Sequence, residues 1–306
     1  MDVVLDILDT FLFDRLYAAI LPASSTTYAA SLHNRHVNVY MHLEPSQWVD
    51  ASVLKRDDVV RQAISLFLIT WIFGLAMYLT GSTIIYFTLF DRKTLHHPRH
   101  HPNQIRLEIQ HALSSMPVMA LLTVPFFLAE IHGYSKLYDF TTEAPFAAYT
   151  YLQYPLFLLF TDAGIYWIHR GLHHRSVYGW LHKPHHRWIV PSPFASYAFH
   201  PIDGWSQSLP YHVFPLILPL QKGAYLGLFG FVTVWTLFIH DAEFLSSSKV
   251  VNGPACHTMH HLYFNYNYGQ YTTFWDRFGG TYYKPRLDKF GQAQKEKDGS
   301  VSQKDD

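Results

Sequence analysis

Residues 146–188 read FAAYTYLQYPLFLLFTDAGIYWIHRGLHHRSVYGWLHKPHHRW, an apolar run that ends in six histidines within twenty positions. The apolar part, 146–168, contains one acid, Asp162, and exceeds the roughly 20 residues that a helix needs to cross a bilayer. The part after it crowds imidazoles, each able to gain charge near neutral pH and repel its neighbours. Such crowding needs a shared partner. The whole stretch therefore predicts a membrane helix that delivers histidines to one membrane face.

Neighbouring segments extend the pattern. Residues 63–90 carry no charge and predict a first span, and residues 111–130 predict a second. The loop between them holds Arg92, Lys93, Arg99 and Arg106, and the end of the third span holds Arg170, Arg175, Lys183 and Arg187. Basic loops mark the cytosolic side, so both of these ends read as cytosolic. Residues 209–240 contain two shorter apolar pieces divided by Gln221-Lys222-Gly223, with Pro215 and Pro219 expected to kink the first. They predict a kinked re-entrant hairpin. The fold class is thus all-α integral membrane, with about four transmembrane helices and a cytosolic histidine-rich cap built from 169–208 and the residues after 240.

Composition agrees with a membrane protein. Charged residues make up 15% of the chain, against roughly 25% in soluble domains. With 23 basic and 23 acidic residues, nothing points to nucleic acid. The single cysteine, Cys256, excludes an intrachain disulfide and a cysteine-rich zinc site. At the start, Asp2, Asp6, Asp9 and Asp14 interrupt the apolar residues, which disfavours a secretory signal and favours an amphipathic helix on the membrane. Three regions follow. Residues 1–61 form that helix and a polar segment, 62–285 the membrane-embedded domain, and 286–306 a charged tail expected to be disordered.

The histidines fall into three clusters: His169, His173 and His174; His182, His185 and His186; His257, His260 and His261. Residues three and four apart share one helix face, so each cluster can aim two or three rings at one point. Neutral imidazole suits iron, zinc, copper and nickel. Nine imidazoles exceed the four positions of tetrahedral zinc, so two neighbouring ions are the economical reading. His240 and His200 are further candidate ligands. The run HHPRHHP at 96–102 has similar spacing, but Pro98 and Pro102 argue for a basic surface loop. Asp162 lies seven residues before His169, on the same helical face, where it could hold a ligand's other ring nitrogen or brace the bundle. Tyr197, His212 and Asp241 are candidates to support the ligands or to touch substrate.

The three clusters resemble those of the membrane-bound fatty acid hydroxylase and sterol desaturase superfamily. Two longer stretches are similar to the fungal sterol C-5 desaturases: LHKPHHRWIVPSPFASYAFHPIDGWSQSLPYHVFPLILPLQK and VVNGPACHTMHHLYFNYNYGQYTTFWDRFGG. The resemblance implies a non-haem site of two irons, O2 as oxidant, and electrons from NADH through cytochrome b5 and its reductase. It implies formation of the C5=C6 double bond of a Δ7 sterol such as episterol, in ergosterol synthesis. It also implies the endoplasmic reticulum membrane, with the site facing the cytosol. The family commonly has histidine where this chain has Tyr197, which favours a non-ligand role there. A hydroxylase or C-4 methyl oxidase of the same superfamily is the nearest alternative, since the clusters alone do not separate the outcomes. A histidine-rich metal transporter would place histidines within the spans, and a haem b carrier would face histidine pairs across the bilayer interior.

Overall fold

The computed structural model describes residues 1–24, 43–44, 46–241 and 248–285. Much of the expected polar segment and the whole expected disordered tail, 286–306, lie outside the described residues. The chain begins with α1 (Asp2–Leu8), a wider turn over Asp9–Phe13, and α2 (Asp14–Ile20), which together form one helical run. The long α3 (Val59–Thr88) starts where the Asp58 carboxylate accepts from the N–H groups of Val60 and Arg61. Within it, the hydroxyls of Thr70, Thr80 and Thr88 donate to carbonyls one turn back. Polar side chains on an apolar helix are satisfied by the helix itself.

Next comes α4 (Gln104–Ile131), seven residues earlier than the second predicted span and continuous through Pro117 and Pro125. It is followed by β1 (Leu137–Tyr138), α5 (Tyr149–Leu172) and the short α6 (Tyr178–Leu181). The remaining elements are α7 (Pro201–Ile217), β2 (Leu220–Gln221), α8 (Lys222–Ile239), α9 (Pro254–Tyr263) and α10 (Phe274–Phe278). Helices α3, α4, α5, α7 and α8 alternate in direction, so the end of α5 and the start of α7 share one end of the bundle. The histidines gather there. At the other end, β1 and β2 pair in parallel, Leu137 with Leu220 and Tyr138 with Gln221, tying the chain after α4 to the turn between α7 and α8.

Among the described residues, three helices are long and apolar enough to cross a membrane: α3, α4 and α8. The predicted span at 146–168 forms α5, which is less apolar than these three and buries Gln153, Thr161, Asp162 and His169. The predicted hairpin at 209–240 forms α7 and α8, joined through residues 218–221, with Asp203 and His240 both at the histidine end. α7 starts at Pro201 and runs through Pro210 and Pro215, and Pro219 lies beyond its end. A proline costs little where the helix already lacks a partner for that N–H or neighbours fill the gap. α5 and α7 approach closely at Gly164, where a Cβ would stand 2.6 Å from the Pro210 ring. Phe157, Phe214, Leu220 and Tyr225 fill the core between α5, α7 and α8.

Candidate metal centre

Four pieces of backbone converge at the histidine end. The last turn of α5 presents His169 and His173 one turn apart. The turns after α6 present His182, His185 and His186. The end of α8 presents His240. Finally α9, opened by Pro254 at a position where a missing N–H costs nothing, presents His257, His260 and His261.

These rings sort into two groups, each with ring nitrogens within 4.8 Å of one another: His169, His173, His182, His186 and His260 in one, and His185, His240, His257 and His261 in the other. Consecutive histidines go to different groups. His185 joins one and His186 the other, and His260 and His261 divide likewise. Successive side chains on a helical turn point about 100° apart, so one doublet can serve two centres.

The hydrogen bonds fix how several rings face. His169 donates from Nδ1 to the Tyr268 carbonyl at 3.1 Å, and His182 donates from Nδ1 to the Asp203 carboxylate at 2.7 Å. Neither oxygen can donate in return, so both rings carry a proton on Nδ1, and in the neutral form that metal binding requires each presents a bare Nε2. Those two Nε2 atoms lie 3.1 Å apart. No proton is left for that contact. Two lone pairs facing each other at this distance repel, and a cation between them is the natural remedy. His260 repeats the pattern: its Nδ1 donates to the Tyr266 carbonyl at 2.7 Å, and its buried Nε2 has no hydrogen-bond partner. In the other group, His240 donates from Nδ1 to the Thr236 carbonyl, leaving Nε2 3.0 Å from Nε2 of His257. Burial, then the neighbouring imidazoles, hold His185, His186, His257 and His261 well below the usual histidine range, and His260 is pushed down to about 3. Neutral rings with inward lone pairs are what a metal ion requires. The donor set fits two ions bound mainly by nitrogen.

Two predicted ligands stand apart. His174 follows the end of α5, turns outward and pairs through Nδ1 with the Ser176 hydroxyl at 2.7 Å. His200 caps α7, its ring nitrogen accepting from the Ile202 N–H, and it belongs to neither group. Asp162 does not reach a ring. Its carboxylate accepts from the N–H groups of Gln270 and Tyr271 and from the Thr272 hydroxyl. Asp241 is buried directly after His240. His97, in the run expected at the surface, is buried, with Nδ1 accepting from the Arg99 N–H.

Asp203, which sequence reading missed, is completely buried and also accepts from the Gln207 amide at 2.8 Å. An acid in the first turn of a helix ordinarily reads as a partner of the helix dipole, so nothing in the sequence set it apart.

A cavity of about 910 Å³ ends on His169, His185, His240 and His257, within the range of about 300–1,000 Å³ typical of small-molecule sites. Its walls come from the first helical run, α3, α4, α7 and α8, and are mostly apolar. Tyr197 lines it, edge-on to Tyr78 with ring centres 5.6 Å apart. His212 lines it farther along, among Phe126, Phe127 and Phe229. Leu12, Leu16, Ile72, Phe73 and Leu226 both line the cavity and are exposed, so it opens sideways between the first helical run, α3 and α8.

The model of the family described as "Fatty acid hydroxylase" matches residues 154–281, which include all nine grouped histidines. "Delta(7)-sterol 5(6)-desaturase erg3B" of Aspergillus fumigatus is 59% identical over 299 residues, covering 96% of this chain and 89% of that protein. "Probable Delta(7)-sterol 5(6)-desaturase" of Neurospora crassa is 52% identical over 307 residues, with the same coverage of 96% and 89%. "Delta(7)-sterol 5(6)-desaturase" of Leptosphaeria maculans is 50% identical over 318 residues, again covering 96% and 89%. No solved structure matches the chain.

Proposed function

The chain belongs to the Delta(7)-sterol 5(6)-desaturase family, and on that premise we propose that it introduces the C5=C6 double bond into a Δ7 sterol, as an O2-dependent oxidoreductase of ergosterol synthesis. The nine grouped histidines hold two iron ions, five rings in one group and four in the other. Bound there, the irons supply the oxidising power to break an unactivated C–H bond, which side chains lack. In the overall balance the sterol loses two hydrogens and O2 becomes two waters, with two electrons supplied from NADH through cytochrome b5 and its reductase and two protons taken from solution.

The protein's own residues bind, orient and exclude water. Asp203 and the carbonyls of Tyr268, Tyr266 and Thr236 hold four rings in the tautomer that offers Nε2. The apolar walls hold a rigid polycyclic substrate with one edge at the histidines, replacing a chance encounter by a fixed approach. Helices α3, α4 and α8 cross the endoplasmic reticulum membrane, α5 and α7 complete the embedded bundle, and the histidine end faces the cytosol. One observation carries this reading: the apolar cavity ends on histidines of both groups.

Expression in a yeast that lacks sterol C-5 desaturation, followed by sterol analysis, tests it. The conjugated 5,7-diene is the expected product, and His185→Ala abolishes it while leaving the protein in the membrane. A hydroxylated sterol in place of the diene would move the assignment to a hydroxylase. No new sterol from a stable, membrane-inserted wild-type chain would defeat it.

A further inference from the structure

The support for the histidines runs through one loop that two buried carboxylates clamp. Residues 266–272 contribute the Tyr266 carbonyl to His260 at 2.7 Å and the Tyr268 carbonyl to His169 at 3.1 Å. The Gln270 side chain donates to the Thr236 hydroxyl at 3.2 Å, and the Thr236 carbonyl takes the Nδ1 proton of His240. Three rings, from both groups, thus take their orientation from this loop or from a residue it touches.

The clamps are Asp162 and Asp276, 1% and 0% exposed. Asp162 accepts on Oδ1 from the N–H groups of Gln270 and Tyr271 at 3.1 and 2.8 Å, and on Oδ2 from the Thr272 hydroxyl at 2.5 Å. Asp276 accepts from the N–H groups of Tyr268 and Gly269 at 2.8 and 2.9 Å, and from the Thr281 hydroxyl at 2.8 Å. Asp162 sits two turns before His169 on α5. The path therefore closes on itself, from α5 through Asp162 to the loop, and from the Tyr268 carbonyl through His169 back to α5.

We infer that Asp162 is a positioning residue for the metal centre: by clamping residues 270–272 it places the Tyr268 carbonyl, which sets the tautomer and aim of His169. This rests on the metal-binding reading above. A carboxylate that only braced the bundle would need no particular partner, yet this one gathers the N–H groups of the same loop whose carbonyls face the rings. Lone buried carboxylates are costly, so the matched donors are what keep it there.

The test is iron affinity, measured by chelator competition on purified full-length protein, together with the visible spectrum of the cobalt-loaded form. Loss of an outer partner of a metal ligand costs about 10- to 100-fold in affinity. Asp162→Ala is expected at the lower end, about tenfold weaker, with altered cobalt bands. Asp162→Asn keeps an acceptor for the loop N–H groups and restores both affinity and spectrum. Gly269→Ala provides an independent route, because the added Cβ would stand 2.5 Å from the Thr272 carbonyl and must push the loop aside. It reproduces the weakened affinity with Asp162 intact, and it carries the test if Asp162→Ala does not accumulate. Wild-type affinity and bands in both Asp162→Ala and Gly269→Ala, with only thermal stability lowered, overturn the inference and leave the metal reading standing. A wild-type protein that takes up neither iron nor cobalt overturns the metal reading itself.

Discussion

The two ends of the bundle each bury a cluster of ionisable groups, and the clusters are built on opposite principles. Away from the histidines, Arg61 bridges Asp9 and Asp14 at 2.7 and 2.5 Å, and Arg56 joins Asp6 and Asp14 at 3.0 and 2.6 Å. Every carboxylate there meets a guanidinium, and the Tyr17 ring lies 4.7 Å from the Arg61 carbon. At the histidine end four rings have their outer nitrogens engaged, those of His169, His182, His240 and His260, and inner nitrogens face each other. The first cluster balances its charges within the chain and leaves the Arg61 Nε without a hydrogen-bond partner. The second is complete only with a visitor. A buried polar cluster reveals a ligand site by what its own members cannot satisfy, not by how polar it is.

That contrast can be broken experimentally. Removing one member of the closed cluster should have the largest effect on folding: Arg61→Ala leaves two buried carboxylates short of a partner and costs about 3–5 kcal/mol of stability. Denaturant unfolding measures the loss, and the cobalt spectrum of the protein that remains folded should be that of the wild type. A changed spectrum would show that the two ends are coupled. At the open cluster, Asp203→Asn removes the charge that His182 leans on, and metal affinity should fall about 10- to 100-fold with little change in unfolding. An unchanged affinity would make Asp203 a packing residue. The smallest effect belongs to the histidines outside both groups. His174→Ala should change stability by no more than about 0.5 kcal/mol, as surface substitutions do, His200→Ala should cost about 1 kcal/mol as a lost helix cap, and both should leave product formation intact. Loss of the diene in either would restore that residue to the site.

Much of the site was legible because ligand spacing is a local property. His182-x-x-His185-His186 and His257-x-x-His260-His261 announce themselves in any helical or near-helical backbone. The first cluster shows where locality ends. His173 and His174 look equivalent in sequence, but α5 stops at Leu172, and the turn that follows sends His174 toward Ser176. Asp203 was illegible for a different reason. Its role depends on α7 packing against α5 and bringing it under His182, a contact across 21 positions of the chain. The fold was read well where charge-free length decided it, as in α3. At 146–168 and 209–240 helices form as expected but with shifted bounds, because prolines that read as kinks or ends lie inside α7.

The lateral mouth between the first helical run, α3 and α8 has a kinetic corollary. A substrate arriving through Leu12, Ile72, Phe73 and Leu226 never leaves the lipid phase. The quantity that saturates such an enzyme is the mole fraction of sterol in the surrounding leaflet, not its molarity in the assay. Diluting vesicles with buffer should leave turnover per protein unchanged, whereas diluting the sterol with inert phospholipid should slow it.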